Sequence, residues 1–229
     1  MAVRNVVAVS GAAGLLGPTV TRAFHEAGDA LAVSGRSREK LGQLMDSVGA
    51  GPNERLESAV DLRDPRAAQA WADEIVSTFG KVDALLHLVG GYRGGTPVTA
   101  IDAADWNELQ SSLVGTTINV IRAFAGRLKE SRGRFISVTS VKAQAPTSRS
   151  AAYAMAKAAS DALVLALADE LRGSGATANL IVVDSIESPG KPYGKSTSAR
   201  EIADTMLFLC SPAADTINGA RIPLIGRGL

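Results

Sequence analysis

Seven short runs rich in β-branched and apolar residues alternate with longer helical patterns, and this alternation limits the possible folds more than any other feature. The strand-like runs are 6–9, 30–34, 56–60, 82–89, 134–139, 177–183 and 220–225. Between them lie helical patterns at 19–27, 38–48, 65–79, 105–130, 151–171 and 200–209. The run at 82–89 is nearly all apolar, as expected of a strand covered on both faces. Strand–helix–strand alternation predicts an α/β fold with a parallel, doubly wound sheet and helices on both faces. No repeat or linker divides the chain, so residues 1–229 read as one domain.

Charge excludes some function classes. The 24 basic and 23 acidic residues leave a formal net charge of +1, with no block of like charge, so no nucleic-acid partner and no anionic membrane surface are expected. A single cysteine, Cys210, lies in an apolar run and reads as a buried thiol rather than a nucleophile. One cysteine allows no intrachain disulfide, and residues 1–10 carry no signal-peptide pattern, so a cytoplasmic protein is expected. The apolar stretch 162–168, bounded by Asp161 and Asp169, is too short to span a bilayer. No metal site is read.

The first strand runs into a loop containing Gly11, Gly14, Leu15, Leu16 and Gly17, and a helix follows at once. Glycines there permit a tight turn and let backbone N–H groups approach a pyrophosphate at the helix N-terminus. The spacing is G-x-x-G-x-x-G, a weak signal alone that its place between strand and helix strengthens. At the end of the second strand, Arg36 lies nineteen positions after Gly17, where a dinucleotide fold meets the adenosine ribose. A carboxylate there would favour a 2′-hydroxyl; a guanidinium grips a 2′-phosphate, and Ser37 adds a hydroxyl. NADP(H) is therefore the expected cofactor. Arg38 is either a second phosphate ligand or a solvated first-turn residue.

Tyr153 and Lys157 stand four apart on one helical face. A cation beside a phenol favours the phenolate, and a phenol so tuned can exchange a proton with a carbonyl oxygen. Alone, the pair is also what a solvated helix face looks like. Ser140 ends the fifth strand, thirteen positions earlier, and its hydroxyl can bond the same oxygen.

With the glycine loop, Ser140, Tyr153 and Lys157 resemble the short-chain dehydrogenase/reductase pattern over essentially the whole chain. The resemblance implies a Rossmann-type, seven-stranded sheet and a nicotinamide cofactor. It makes Tyr153 the acid/base, Ser140 the oxygen-binding hydroxyl and Lys157 a ligand of the nicotinamide ribose as well. It also implies cofactor contacts from Asp61 and Leu62 after the third strand, Val89 and Gly90 after the fourth, and Ile186 and Ser188 after the sixth. Its oligomers use the two long helices, and residues 151–171 are apolar on more than one face, so a homodimer or homotetramer is expected.

Departures are visible. Leu15 stands where glycine is usual. His87-Leu88-Val89-Gly90 replaces Asn-Asn-Ala-Gly, which makes His87 a structural substitute rather than a catalytic histidine. Ser111 or Ser112 holds the place of the usual helix asparagine, and Val183-Asp184 that of Pro-Gly. The run from Gly90 to Gly95 is similar to that of dihydropteridine reductases; its Tyr92 either lines the substrate pocket or packs on the sheet. Segment 188–199, with Gly190, Pro192 and Gly194, reads as a short lid over a small or planar substrate. The expected activity is hydride transfer to or from a small carbonyl, alcohol or imine-like compound. The alternatives are a non-catalytic NADP(H)-binding regulator, which would need no Ser-Tyr-Lys set, and, more weakly, an epimerase.

Overall fold

The computed structural model describes residues 5–188 and 196–225; the expected lid, with Gly190, Pro192 and Gly194, lies mostly outside the described residues. In chain order the elements are β1 (Val6–Ser10), α1 (Gly17–Glu26), β2 (Ala30–Gly35), α2 (Arg38–Val48), β3 (Arg55–Ala59), α3 (Pro65–Phe79) and β4 (Ala84–His87). They continue with α4 (Ala103–Leu109), α5 (Thr116–Ser131), β5 (Arg134–Ser140), α6 (Ala151–Glu170), β6 (Thr177–Val183), α7 (Ala199–Cys210) and β7 (Arg221–Pro223). The seven strands form one parallel sheet in the order β3-β2-β1-β4-β5-β6-β7.

Side-chain alternation explains why β1 is apolar at every position. Val7 and Val9 pack with α1, α2 and α7 residues such as Phe24, Leu41 and Met206. Val6 and Ala8 point the other way, into a second core with Trp71, Phe124 and Val164 from α3, α5 and α6. Trp71 and Phe124 meet edge to face, with ring centroids 5.1 Å apart. Each core therefore needs the sheet as its floor, and neither helical layer can bury its apolar face without it.

Two elements differ from the sequence-based expectation. The strand predicted at 82–89 contracts to Ala84–His87, because Leu88 and Val89 leave the ladder to border a cleft. The helix predicted at 105–130 is interrupted by a π-helical turn, Gln110–Gly115, between α4 and α5. Helix α6 has 20 residues and a mean hydropathy of 1.3, enough by length and composition to cross a membrane, so the apolar stretch is longer than 162–168 suggested. Here it packs against β5 and β6 and carries buried Tyr153, Lys157 and Asp161.

Strand order reverses between β1 and β4, where sequence neighbours diverge to opposite halves of the sheet. In an open parallel sheet such a switch point leaves a crevice at the carboxyl ends of the strands. The glycine loop after β1 and residues 88–91 after β4 flank it.

Candidate active site

The crevice is a cleft of about 470 Å³. It is lined by Gly11 and Gly14 after β1, Arg36 and Ser37 after β2, Asp61 and Leu62 after β3, and Val89 and Gly90 after β4. The structure thus gathers eight of the expected cofactor residues around one space. Leu15 is 53% exposed and Leu16 is buried as the N-cap of α1; neither lines the cleft. Gly17 opens α1, and a Cβ there would sit 1.6 Å from the carbonyl oxygen of Ala12, so glycine is required for the loop to fold back on the helix. Ile186 pairs with Thr197 in an isolated bridge, and neither Ile186 nor Ser188 borders the cleft.

The donor set fits a dinucleotide. No side chain caps the N-terminus of α1, whose dipole points at the cleft; the Gly17 N–H already donates to the Gly14 carbonyl at 3.2 Å and Pro18 has none to give. Arg36 and Ser37 are joined by Lys40, a lining residue that the sequence reading missed. Ser37 also caps α2, accepting a hydrogen bond from the Lys40 N–H at 3.3 Å. Asp61 is held by Arg63 through Nε at 3.0 Å and Nη2 at 2.9 Å, and this pairing keeps its carboxyl below the usual range. Asn119 of α5 fixes the same loop by donating to the Leu62 and Arg63 carbonyls at 2.9 and 3.1 Å.

Tyr153 and Lys157 lie on the buried face of α6, 9% and 7% exposed, against the end of β5. Burial pushes the Tyr153 phenol up to about 12; the Ser140 hydroxyl opposes the rise, while Tyr92 and Asp161 add to it. The sequence reading expected the neighbouring ammonium to lower this phenol. In the structure desolvation dominates, and the group that opposes it is the Ser140 hydroxyl rather than the Lys157 ammonium. The Lys157 Nζ donates to the carbonyl oxygen of Val138 at 2.9 Å. Burial pulls that ammonium down to about 8, with Asp161 working against it. Ser140 Oγ accepts the Lys142 N–H at 3.2 Å, which fixes it at the turn after β5.

His87 is wholly buried. Its Nδ1 lies 2.7 Å from Ser10 Oγ and its Nε2 3.2 Å from Thr117 Oγ1. Thr117 spends its own proton on the Leu113 carbonyl at 2.7 Å, so Nε2 donates to it and Nδ1 accepts from Ser10. Desolvation, with Lys157 nearby, pulls this imidazole down to about 3, and it stays neutral as a brace between β1 and α5. Of the two serines, Ser112 borders the cleft, bonded through Oγ to the Glu108 carbonyl at 2.7 Å. Asp184 makes an ion pair with Lys142 at 3.2 Å, tying the ends of β5 and β6 together. The thiol of Cys210, half-buried against the α7 core, is raised to about 12 by desolvation, as suits a packing residue.

Tyr92 settles over the site: its ring is 60% exposed and stands edge to face on Tyr153, centroids 5.0 Å apart. Its hydroxyl passes so near Gly94 that a Cβ there would lie 2.1 Å away. A second cavity, about 350 Å³, opens beside it between Tyr92, Arg93, Leu109, Arg149 and Ala152. The Gly95 N–H donates to the Arg149 carbonyl at 2.8 Å, and Arg149 Nη1 donates back to the Gly95 carbonyl at 2.7 Å, so the glycine-rich loop is clamped to the start of α6. Among the described residues no group of three or more His, Cys, Asp or Glu is placed to hold a metal.

Comparison with known proteins agrees with this architecture. The family model for short chain dehydrogenase matches residues 5–195. The 7alpha-hydroxysteroid dehydrogenase of Escherichia coli is 25% identical over 238 residues, covering 96% of this chain and 92% of its own. A 3-ketoacyl-(acyl-carrier-protein) reductase from Brucella melitensis, solved with NADH, superposes with a TM-score of 0.89 at 21% identity, covering 98% of both chains. An NADPH-bound short chain oxidoreductase from Pseudomonas aeruginosa, described as having an atypical catalytic center, superposes at 0.87 and 24% identity, over 96% of this chain and 94% of that one.

Proposed function

The chain belongs to the short-chain dehydrogenase family, a family of oxidoreductases, and from that premise we propose that it moves a hydride between NADP(H) and a small carbonyl or alcohol, with Tyr153 as the acid/base. The observation that carries this reading is the pairing of Ser140, at the end of β5, with Tyr153 of α6; neither they nor Lys157 line the cleft, but Tyr153 meets it through the ring of Tyr92, and the same cleft is lined by Arg36 and Lys40. When bound, the nicotinamide supplies or accepts the hydride. Tyr153 gives its proton to the substrate oxygen, and the Ser140 hydroxyl bonds the same oxygen. The phenolate left behind is held by the Lys157 ammonium.

Arg36 and Lys40 support NADPH over NADH, since two cations and the α2 N-terminus converge where the adenosine ribose is expected and no carboxylate faces them from the end of β2. The two solved relatives, one with NADH and one with NADPH, do not choose between the cofactors. A cavity of about 350 Å³ beside Tyr92 supports a small substrate. Exposed Met155, Ala158, Ala162 and Ala166 form an apolar stripe on α6, with Ile118 exposed on α5, and support a homodimer or homotetramer. The reading places the enzyme in the cytoplasm without nucleic-acid or membrane partners. Its test is a panel of small aldehydes, ketones and cyclic imines offered with NADPH and with NADH, followed by loss of nicotinamide absorbance. Turnover with NADPH is expected; binding of NADPH without turnover of any of them would favour the regulator.

A further inference from the structure

Helix α6 carries a third ionisable group in line with Tyr153 and Lys157. Asp161 lies one turn beyond Lys157 and is 1% exposed. Its Oδ2 makes no hydrogen bond, and the cation nearest it is Arg221 of β7, whose Nε stands 3.8 Å away. That contact is too long for a hydrogen bond. The Thr139 hydroxyl on β5 faces the same carboxylate and is itself buried without a partner of normal geometry. A buried carboxylate with so little direct bonding is costly, and such a charge persists when another buried charge compensates it.

Lys157 is the buried cation on the same helical face, one turn earlier and with no ion pair closed to Asp161, so the two act on each other through space rather than by a direct contact. The Lys157 Nζ has one hydrogen bond, to a neutral carbonyl. The groups acting on it are Asp161 from its own helix, where Tyr153 stands one turn earlier, His87 from β4, and the Val138 carbonyl from β5; Arg221 reaches Asp161 from β7. Among the described residues, Asp161 is the acidic group whose charge acts on the ammonium.

We propose that Asp161 is a positioning residue of the active site, a buried counter-charge that holds Lys157 as an ammonium so that the lysine can stabilise the Tyr153 phenolate. Resting on the oxidoreductase reading above, the proposal adds a residue to that same site. Asp161 touches neither substrate nor cofactor; it acts through Lys157. Without it, the ammonium would face burial, a neutral imidazole and the Arg221 cation, and it would lose its proton near neutral pH. Loss of that proton as pH rises is the event expected at the alkaline limb of carbonyl reduction.

The experiment compares wild type, Asp161→Asn and Asp161→Glu in two readouts: the pH profile of kcat for carbonyl reduction, and the titration of the Lys157 Nζ followed by its nitrogen-15 shift. In Asp161→Asn both the limb and the titration should move down by about 1 to 2 pH units, the size of one charge removed across a helical turn at intermediate dielectric. Asp161→Glu should retain most of the wild-type position. A lower kcat with an unmoved limb and an unmoved Nζ titration would reduce Asp161 to a structural contact and overturn the proposal. If no carbonyl is reduced by wild type, the functional reading fails, but the Nζ titration still decides the charge pairing. Should Asp161→Asn not fold, wild type answers alone: ionisation of the Asp161 carboxyl, followed by carbon-13, must be mirrored at Lys157 Nζ, and an Nζ signal blind to it would overturn the pairing.

Discussion

Acidification should unfold this protein partly through His87. The ring is fully buried, bonded as a neutral tautomer between Ser10 and Thr117, and pulled down to about 3 in the folded chain. In the unfolded chain it titrates near 6.5. The folded value is the lower one, so the unfolded state binds the proton first. Stability from the neutral ring is complete above about pH 6.5 and is lost progressively as pH falls toward about 3. Between pH 7 and pH 5 this single group should cost about 2 kcal/mol, at about 1.4 kcal/mol per pH unit below the unfolded value. Urea unfolding of wild type and of His87→Asn at the two pH values isolates the effect, because carboxylates common to both chains cancel in the difference. The variant starts less stable but should lose about 2 kcal/mol less on acidification. Equal losses in the two chains would show that His87 accepts a proton in the folded state, and the brace described here would be wrong.

Three further outcomes follow from the same geometry. Gly17→Ala should melt well below wild type, with a cost of about 3 kcal/mol or more, since the new methyl collides with backbone rather than with a movable side chain; a melting temperature within a degree or two would contradict the packing of loop on helix. Arg36→Ala should weaken NADPH binding by about 1.5 to 3 kcal/mol, the worth of a charge-assisted hydrogen bond, and leave NADH binding nearly unchanged; titration of both reduced cofactors checks this, and an unchanged preference would remove Arg36 from the phosphate site. Light scattering at micromolar concentration should report a dimer or tetramer, and a monomer would mean that the apolar stripe of α6 and the exposed Ile118 are not an interface.

Much of this was legible in the sequence, for identifiable reasons. Period-two and period-3.6 patterns located the elements because strands buried on both faces are continuous apolar runs. Those patterns could not show where β4 stops, since Leu88 and Val89 are as apolar as the ladder residues and serve the cleft instead. Nor could they show the π-helical turn at Gln110–Gly115, which shifts register without changing composition. Spacing brought out Tyr153 and Lys157 but not their burial, so the direction of the Tyr153 shift was missed: the sequence shows a neighbouring cation, and desolvation exists only in the packed molecule. Asp161 was read as the polar boundary of an apolar stretch. Its position four beyond Lys157 was the available signal, and the same helical repeat that joins Tyr153 to Lys157 turns Asp161 inward. Lys40 was overlooked because it is three residues past Ser37, although the first turn of α2 faces the cleft that Arg36 enters.

Tyr153→Phe, measured for NADPH binding and for carbonyl turnover on the same preparation, is the most direct test of the site. The substitution removes one hydroxyl from a buried ring and leaves the ring contact with Tyr92 available. NADPH should bind within a few-fold of wild type, while kcat should fall by about 100-fold or more, the usual contribution of a positioned general acid. A variant that reduces the same carbonyls at near-wild-type kcat would take the proton-donor role away from Tyr153.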